Sequence, residues 1–173
     1  MKAEVTPARE RCPACGADTP VSQTGATHRY LLSSPGCWAA YGEVLAREYG
    51  EPGYWSVHAL TVDAYAAQHP GVEAPQTVAS INIHLASLLA HFERGVPKSE
   101  LAALKWRLAQ HKREFRWLPP PDDVGALTVA DIVAVDSAER HVEAAVAWSR
   151  CAFDAWSAHH DAVRALLDRA GCR

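Results

Sequence analysis

A chain of 173 residues, 49% hydrophobic and 21% charged, is long enough for one domain with a real core. A net charge of -3 and a pI near 6.3 exclude a general attraction to nucleic acid or anionic lipid. No run approaches the roughly 20 apolar residues of a membrane span, and "MKAEVTPARE" is too polar for a signal peptide, so the chain reads as cytoplasmic.

In chain order, residues 1–11 read as a flexible tail. Residues 12–37, rich in Cys, Pro, Gly, Ser and Thr, read as an irregular knuckle, and 38–173 as a single helical-bundle domain. "CWAAYGEVLAREYG" opens the helical part. "EPGY" separates it from a second helix at 54–69, which "HPGVEAP" ends, because Pro and Gly sit badly in a helix interior. The pattern predicts further helices over 76–94 and from Ser99 to about Arg116, then a stiff, extended "LPPP" connection. Thr128 with Asp131 has the spacing of a capping box for a short helix. Asp136 with Glu139 repeats it before the last and longest helix, to about residue 170. No repeat, low-complexity segment or convincing strand pair is present. The expected fold is all-α, a bundle of five to six helices behind an N-terminal Cys/His knuckle.

"CPACG" is a Cys-x-x-Cys turn, with Gly16 letting the backbone fold round an ion. His28 and Cys37 follow with 12 and 8 residues intervening. Cys12, Cys15, His28 and Cys37 would fill the four positions of a tetrahedral, structural zinc. A redox dithiol would need βαβ surroundings that the sequence lacks, and unmetallated, reduced thiols are the bland reading.

Nine histidines are the other unusual count. Steps of three and four residues place Trp55, His58, Val62, Tyr65 and His69 on one helix face, with Asp63 at its edge. His84 falls within the face of Val78, Ile81, Leu85, Leu88 and Phe92. In the last helix His160 interrupts Val142, Val146, Ser149, Phe153, Trp156, Val163 and Leu167, with His159 beside it. His58 and His69, eleven residues apart, are about 16 Å distant along a helix and cannot share an ion. Counted from the turn near residue 72, His58 and His84 lie at about the same level. These two with His160 or His159 form the expected ligand set for a second divalent metal. Asp63 would ligate or orient an imidazole. The opposing account makes each histidine a hydrogen-bonded core residue.

"KWRLAQHKREFRW" interleaves cations with aromatics, as single-strand binders do, but the chain is mildly acidic and a solvated helix face accounts for it. Arg164, four residues after His160, could hold an anionic substrate or form a surface ion pair. No phosphate loop, nucleophile elbow or H-E-x-x-H is present.

"CPACGA", "HRYLLSSPGCWAAYGEVLAREYG", "VHALTVDAYAAQHPG" and "AWSAHHDAVRALL" together resemble an uncharacterised family of bacterial proteins of unknown function. The resemblance covers nearly the whole chain and implies that Cys12, Cys15, His28, Cys37, His58, Asp63, His69, His159 and His160 belong to the family's pattern. It implies no activity. In architecture alone the chain is similar to DinB-like bundles, whose three-histidine metal site spans several helices. Adjacent histidines, about 100° apart round a helix, stand here where those bundles carry His-x3-His.

Two functions follow as expectations. One is a metal-dependent hydrolase or small-group transferase acting on a small-molecule substrate, with Asp63, His69 and Arg164 as catalytic or steering residues. The other is a non-catalytic, zinc-stapled binding or scaffold module. Nucleic-acid binding through 105–117 ranks below both, no membrane partner is expected, and the oligomeric state is unspecified.

Overall fold

A computed structural model describes residues 8–172. Most of the expected tail, residues 1–7, lies outside that range, but Arg9–Arg11 is a strand, β1. It pairs antiparallel with β2, Asp18–Pro20, in the register Arg9↔Pro20, Glu10↔Thr19, Arg11↔Asp18. A strand pair of three residues each has too little alternation to be legible. What holds it is the Cys turn between the strands and an Arg9–Asp18 ion pair of 2.8 Å. Within that turn Cys12 N–H donates to Ala17 O, Gly16 N–H donates to Cys12 O, and Gly16 takes φ 74°, a conformation that glycine adopts without steric cost.

Eight α-helices follow among the described residues: α1 Pro35–Gly50, α2 Pro52–Trp55, α3 His58–Gln68, α4 Pro75–Arg94, α5 Leu101–Leu108, α6 Val129–Val133, α7 Ala138–Ala155 and α8 His160–Arg169. The Thr128–Asp131 capping box is present at α6. For α7 the cap is Ser137, whose hydroxyl accepts from Arg140 N–H, while Asp136 pairs with Arg140.

Helix α3 is the axis of the fold. From Leu60 to Gln68 every residue but Val62 is buried, so α3 is enclosed by its neighbours and does not present one seam. Ala64, Ala66 and Ala67 keep it thin enough for α4 and α7 to pack on different sides. Gln68 ties the layers together. Its Oε1 accepts from Trp148 Nε1 at 2.7 Å, and its Nε2 donates to Val124 O and Leu127 O, anchoring the connection after "LPPP". Arg47 of α1 donates to the carbonyls of Ile132, Val133 and Val135, satisfying the C-terminal end of α6.

Three expected helices are interrupted. The one expected at 54–69 breaks at Ser56 and Val57, between α2 and α3, so Trp55 and His58 belong to different helices. The segment 99–116 narrows to α5 and continues as a 3-10 turn, Ala109–Glu114, kinked at His111 (φ -100°, ψ 25°). The last helix breaks at Trp156 (φ -91°, ψ 15°), where the Trp156 indole N–H reaches back to Ala67 O. The buried line of α7 is His141, Ala145, Trp148, Ala152 and Phe153, displaced from the one that a straight helix predicts. No helix of the described residues is long and apolar enough to cross a membrane.

The hairpin packs tightly on the start of α1 at Gly36. Gly36 N–H donates to Glu10 Oε1 at 2.5 Å. A Cβ at Gly36 would overlap the Pro20 carbonyl oxygen and stand 2.6 Å from Thr19 Oγ1. Since a backbone atom is in the way, Gly36→Ala should cost about 2–3 kcal/mol by the overpacking scale, read as a lowered denaturation midpoint with helix content retained.

Candidate metal centre

Cys12 and Cys15 come from the hairpin turn, Cys37 from the first turn of α1, and His69 from the residue that ends α3. One ligand atom from each lies within 4.8 Å of all the others, and all four residues are buried. Such a group can bind a metal ion. Cys15 Sγ and Cys37 Sγ are 3.8 Å apart, and Cys37 Sγ is 3.3 Å from His69 Nε2.

Each donor is aimed by local chemistry. Ser34 caps α1 by accepting from Cys37 N–H, which puts Cys37 at the positive end of a helix dipole, where a thiolate is favoured. His69 Nδ1 lies 2.6 Å from Tyr65 O. A carbonyl only accepts, so Nδ1 carries the proton and Nε2 offers its lone pair to the thiols. The imidazole is the end of an aromatic stack, 3.9 Å from Tyr65, which in turn lies 3.8 Å from Tyr41. Hydrogen bonds from Cys15 and Cys37 pull the Cys12 thiol down. Contact with Cys12 pushes Cys15 up to about 12 and Cys37 higher still. Three thiolates this close repel one another, so ionising all of them is favoured by a cation at their centre.

His28 is not brought into this group, contrary to the spacing argument. Its Nδ1 accepts from the backbone N–H of Tyr30 and Leu31, and its ring packs 5.1 Å from Trp38, so it caps its own loop. His69, expected as a steering residue, takes the fourth corner.

The histidines of the bundle are dispersed. The structure does not join His58, His84 and His160 or His159, and the Cys/His group is the only one of its kind among the described residues. His84 Nδ1 donates to Asp63 Oδ1 at 2.7 Å, and Lys105 Nζ donates to the same oxygen at 2.8 Å. The crossing of α3 and α4 thus sets His84 opposite Asp63, five residues and about 7.5 Å from His58 along α3. His160 Nε2 donates to Phe153 O, a carbonyl at the broken end of α7, and its ring stacks on Phe153 at 4.0 Å. His159 donates to Pro119 O. Arg164 makes a two-point ion pair with Glu93 (2.7 and 2.8 Å) and another with Asp161.

Asp63, fully buried, is raised by desolvation, but Lys105 and His84 outweigh this and hold it below the usual carboxylate range. Lys105 therefore points inward, away from the solvated face expected of "KWRLAQHKREFRW", and Phe115 of that stretch is buried.

A second buried carboxylate, Glu48, carries a network that no motif had marked. It accepts from His58 Nδ1 (2.8 Å), Thr61 Oγ1 (2.5 Å) and His141 Nε2 (3.1 Å), uniting α1, α3 and α7. Burial pushes its carboxyl up, and these donors, His141 foremost, bring it below the ordinary value. The available signal was the face Cys37, Tyr41, Val44, Glu48, an acid on an apolar stripe.

Fold and site together define a helical protein whose N-terminal hairpin is joined to the bundle by a Cys3His group. Residues 10–157 match the family of unknown function DUF5946, and the chain belongs to that family. No curated protein and no solved structure matches it.

Proposed function

We propose that the protein is a zinc-stapled helical binding module in which Cys12, Cys15, Cys37 and His69 hold one structural zinc ion. The observation that carries this reading is the spacing of the donors. Zn–S bonds of about 2.3 Å in a tetrahedron separate the sulfurs by about 3.8 Å, and a Zn–N bond of about 2.0–2.1 Å puts nitrogen about 3.5–3.6 Å from sulfur. The Cys15–Cys37 separation of 3.8 Å has that value, the Cys37–His69 separation of 3.3 Å lies slightly inside it, and all four donors fall within 4.8 Å of one another. Three soft thiolates and an imidazole also suit zinc in preference to magnesium or calcium.

Four protein donors fill the tetrahedron, so no position is open for water or substrate and the ion acts as a staple. It fastens the hairpin and the start of α1 to the end of α3. The histidines of the bundle serve as hydrogen-bonded ties between helices, and chemistry at a second metal has no assembled ligand set to rest on among the described residues.

Elemental analysis of untagged protein tests this. One zinc per chain is expected, lost in His69→Ala and in Cys12→Ser with Cys15→Ser, and retained in His28→Ala and in His58→Ala with His84→Ala. Metal-free protein would overturn the zinc reading. A second equivalent that disappears with His58 and His84 would instead restore a metal-dependent enzyme.

A further inference from the structure

Between α2, the start of α3 and the 97–102 segment lies a cleft of about 470 Å³, lined by Trp55, Ser56, His58, Ala59, Lys98 and Ala102 among others. Ligand sites occupy about 300–1,000 Å³ and combine apolar walls with a few convergent polar groups. None of the zinc donors lines this cleft, and His58 is about 16 Å along α3 from His69.

The cleft's chemistry is one-sided. Its ionisable lining groups are Lys98 and His58, and no carboxylate faces it. Lys98 makes no ion pair among the described residues. His58 is held rigidly from behind, its Nδ1–H donating to buried Glu48, which Thr61 and His141 fix in turn. With Nδ1 so committed, Nε2 is the free end of the imidazole, and its one partner is the hydroxyl of Tyr49 at 3.2 Å, a surface side chain able to turn away. The Trp55 indole lies flat on the His58 ring, with centroids 4.7 Å apart and planes 9° apart, yet half of the Trp55 side chain is exposed. A flat aromatic wall, a preset imidazole edge and an unpaired ammonium thus surround one space.

We propose that this cleft binds a small acidic molecule with a flat apolar body, the body against Trp55 and Ala102 and the acid group between Lys98 and His58. The bond from Nδ1–H to the buried Glu48 carboxylate fixes the His58 ring, so that Nε2 is a positioned polar edge for that acid group.

Phenylacetate and phenyl phosphate serve as probes, with benzyl alcohol as the uncharged counterpart and inorganic phosphate as the anion without a body. Zinc-loaded, full-length protein is titrated by amide and indole NMR. Saturable shifts at Trp55, His58 and residues 98–102 are expected with both aromatic anions, weakened about tenfold by Lys98→Ala, the effect of losing one charged contact. Trp55→Ala, also a surface change, should weaken them similarly. The proposal fails if the aromatic anions produce no saturable shift there, if benzyl alcohol binds equally well, or if Lys98→Ala leaves the titration unchanged. Because zinc content is measured separately, failure of the staple and failure of the cleft are distinguishable.

Discussion

On the proposed zinc staple, a strong chelator should lower the thermal midpoint by about 10–20 °C while most helical signal survives below it. Three chain segments meet at the Cys3His group: the hairpin turn, the start of α1 and the end of α3. Each tie closes a loop that the unfolded chain must otherwise close at entropic cost, and a covalent tie of this kind contributes about 2–4 kcal/mol. Two independent ties give about 5 kcal/mol, and each kcal/mol moves the midpoint of a domain this size by about 2–4 °C. The core of α3, α4 and α7 does not depend on the ion, so circular dichroism should change less than calorimetry. His69→Ala should reproduce the shift without chelator and His28→Ala should not, since His28 touches only its own loop and Trp38. Equal midpoints with and without chelator would contradict the staple.

The second large effect belongs to Glu48. Glu48→Ala removes the acceptor shared by His58, Thr61 and His141 and leaves His141 fully buried, with Nδ1 already lacking a partner. Breaking a buried charged network on one side costs about 3–5 kcal/mol, measurable by urea denaturation at neutral pH. The same carboxylate gives the pH profile a sign. Its folded pKa lies below its unfolded one, so the unfolded chain binds more protons in the window between them. The contribution of Glu48 is complete above its unfolded value, about 4.3, and is lost as pH falls through its lower folded value. Asp63, lowered likewise against about 3.9, adds to the same acid limb. Glu48→Gln should flatten that limb relative to the parent, compared at equal zinc content because acid also releases thiolate-bound metal. An unchanged slope would exclude Glu48 as a titrating tie.

Helix existence was legible because caps, breakers and apolar spacing agree: "HPGVEAP" and Gly95 bound α4, and Thr128 with Asp131 caps α6, whereas the turn read at "EPGY" holds the short α2. The breaks were not, because Trp156 leaves the helical conformation to satisfy its indole on Ala67, a tertiary bond with no local signature. Three of the four members of the Cys3His group followed from "CPACG" and Cys37. The fourth did not, because distance along the chain favoured His28, whereas distance in space depends on how α3 docks. That His58 and His69 must part ways was calculable, but which of them turned to the thiols was not. The seam argument also assumed helices with one buried face, and α3 is buried on nearly all sides. Its polar residues therefore reflect ties to neighbours, as Gln68 and Asp63 do.

The four donors of the proposed staple are also ordered in time. During synthesis the third thiol is made 32 residues before the imidazole (37 to 69), a delay of a few seconds at about 5–20 residues per second. A nascent chain holding only its first three donors has an incomplete coordination shell, and the imidazole reaches them only once α3 has docked. Zinc retention thereby reports that distant parts of the polypeptide have found each other, and a truncated product that stops before residue 69 carries three uncommitted thiols as its mark.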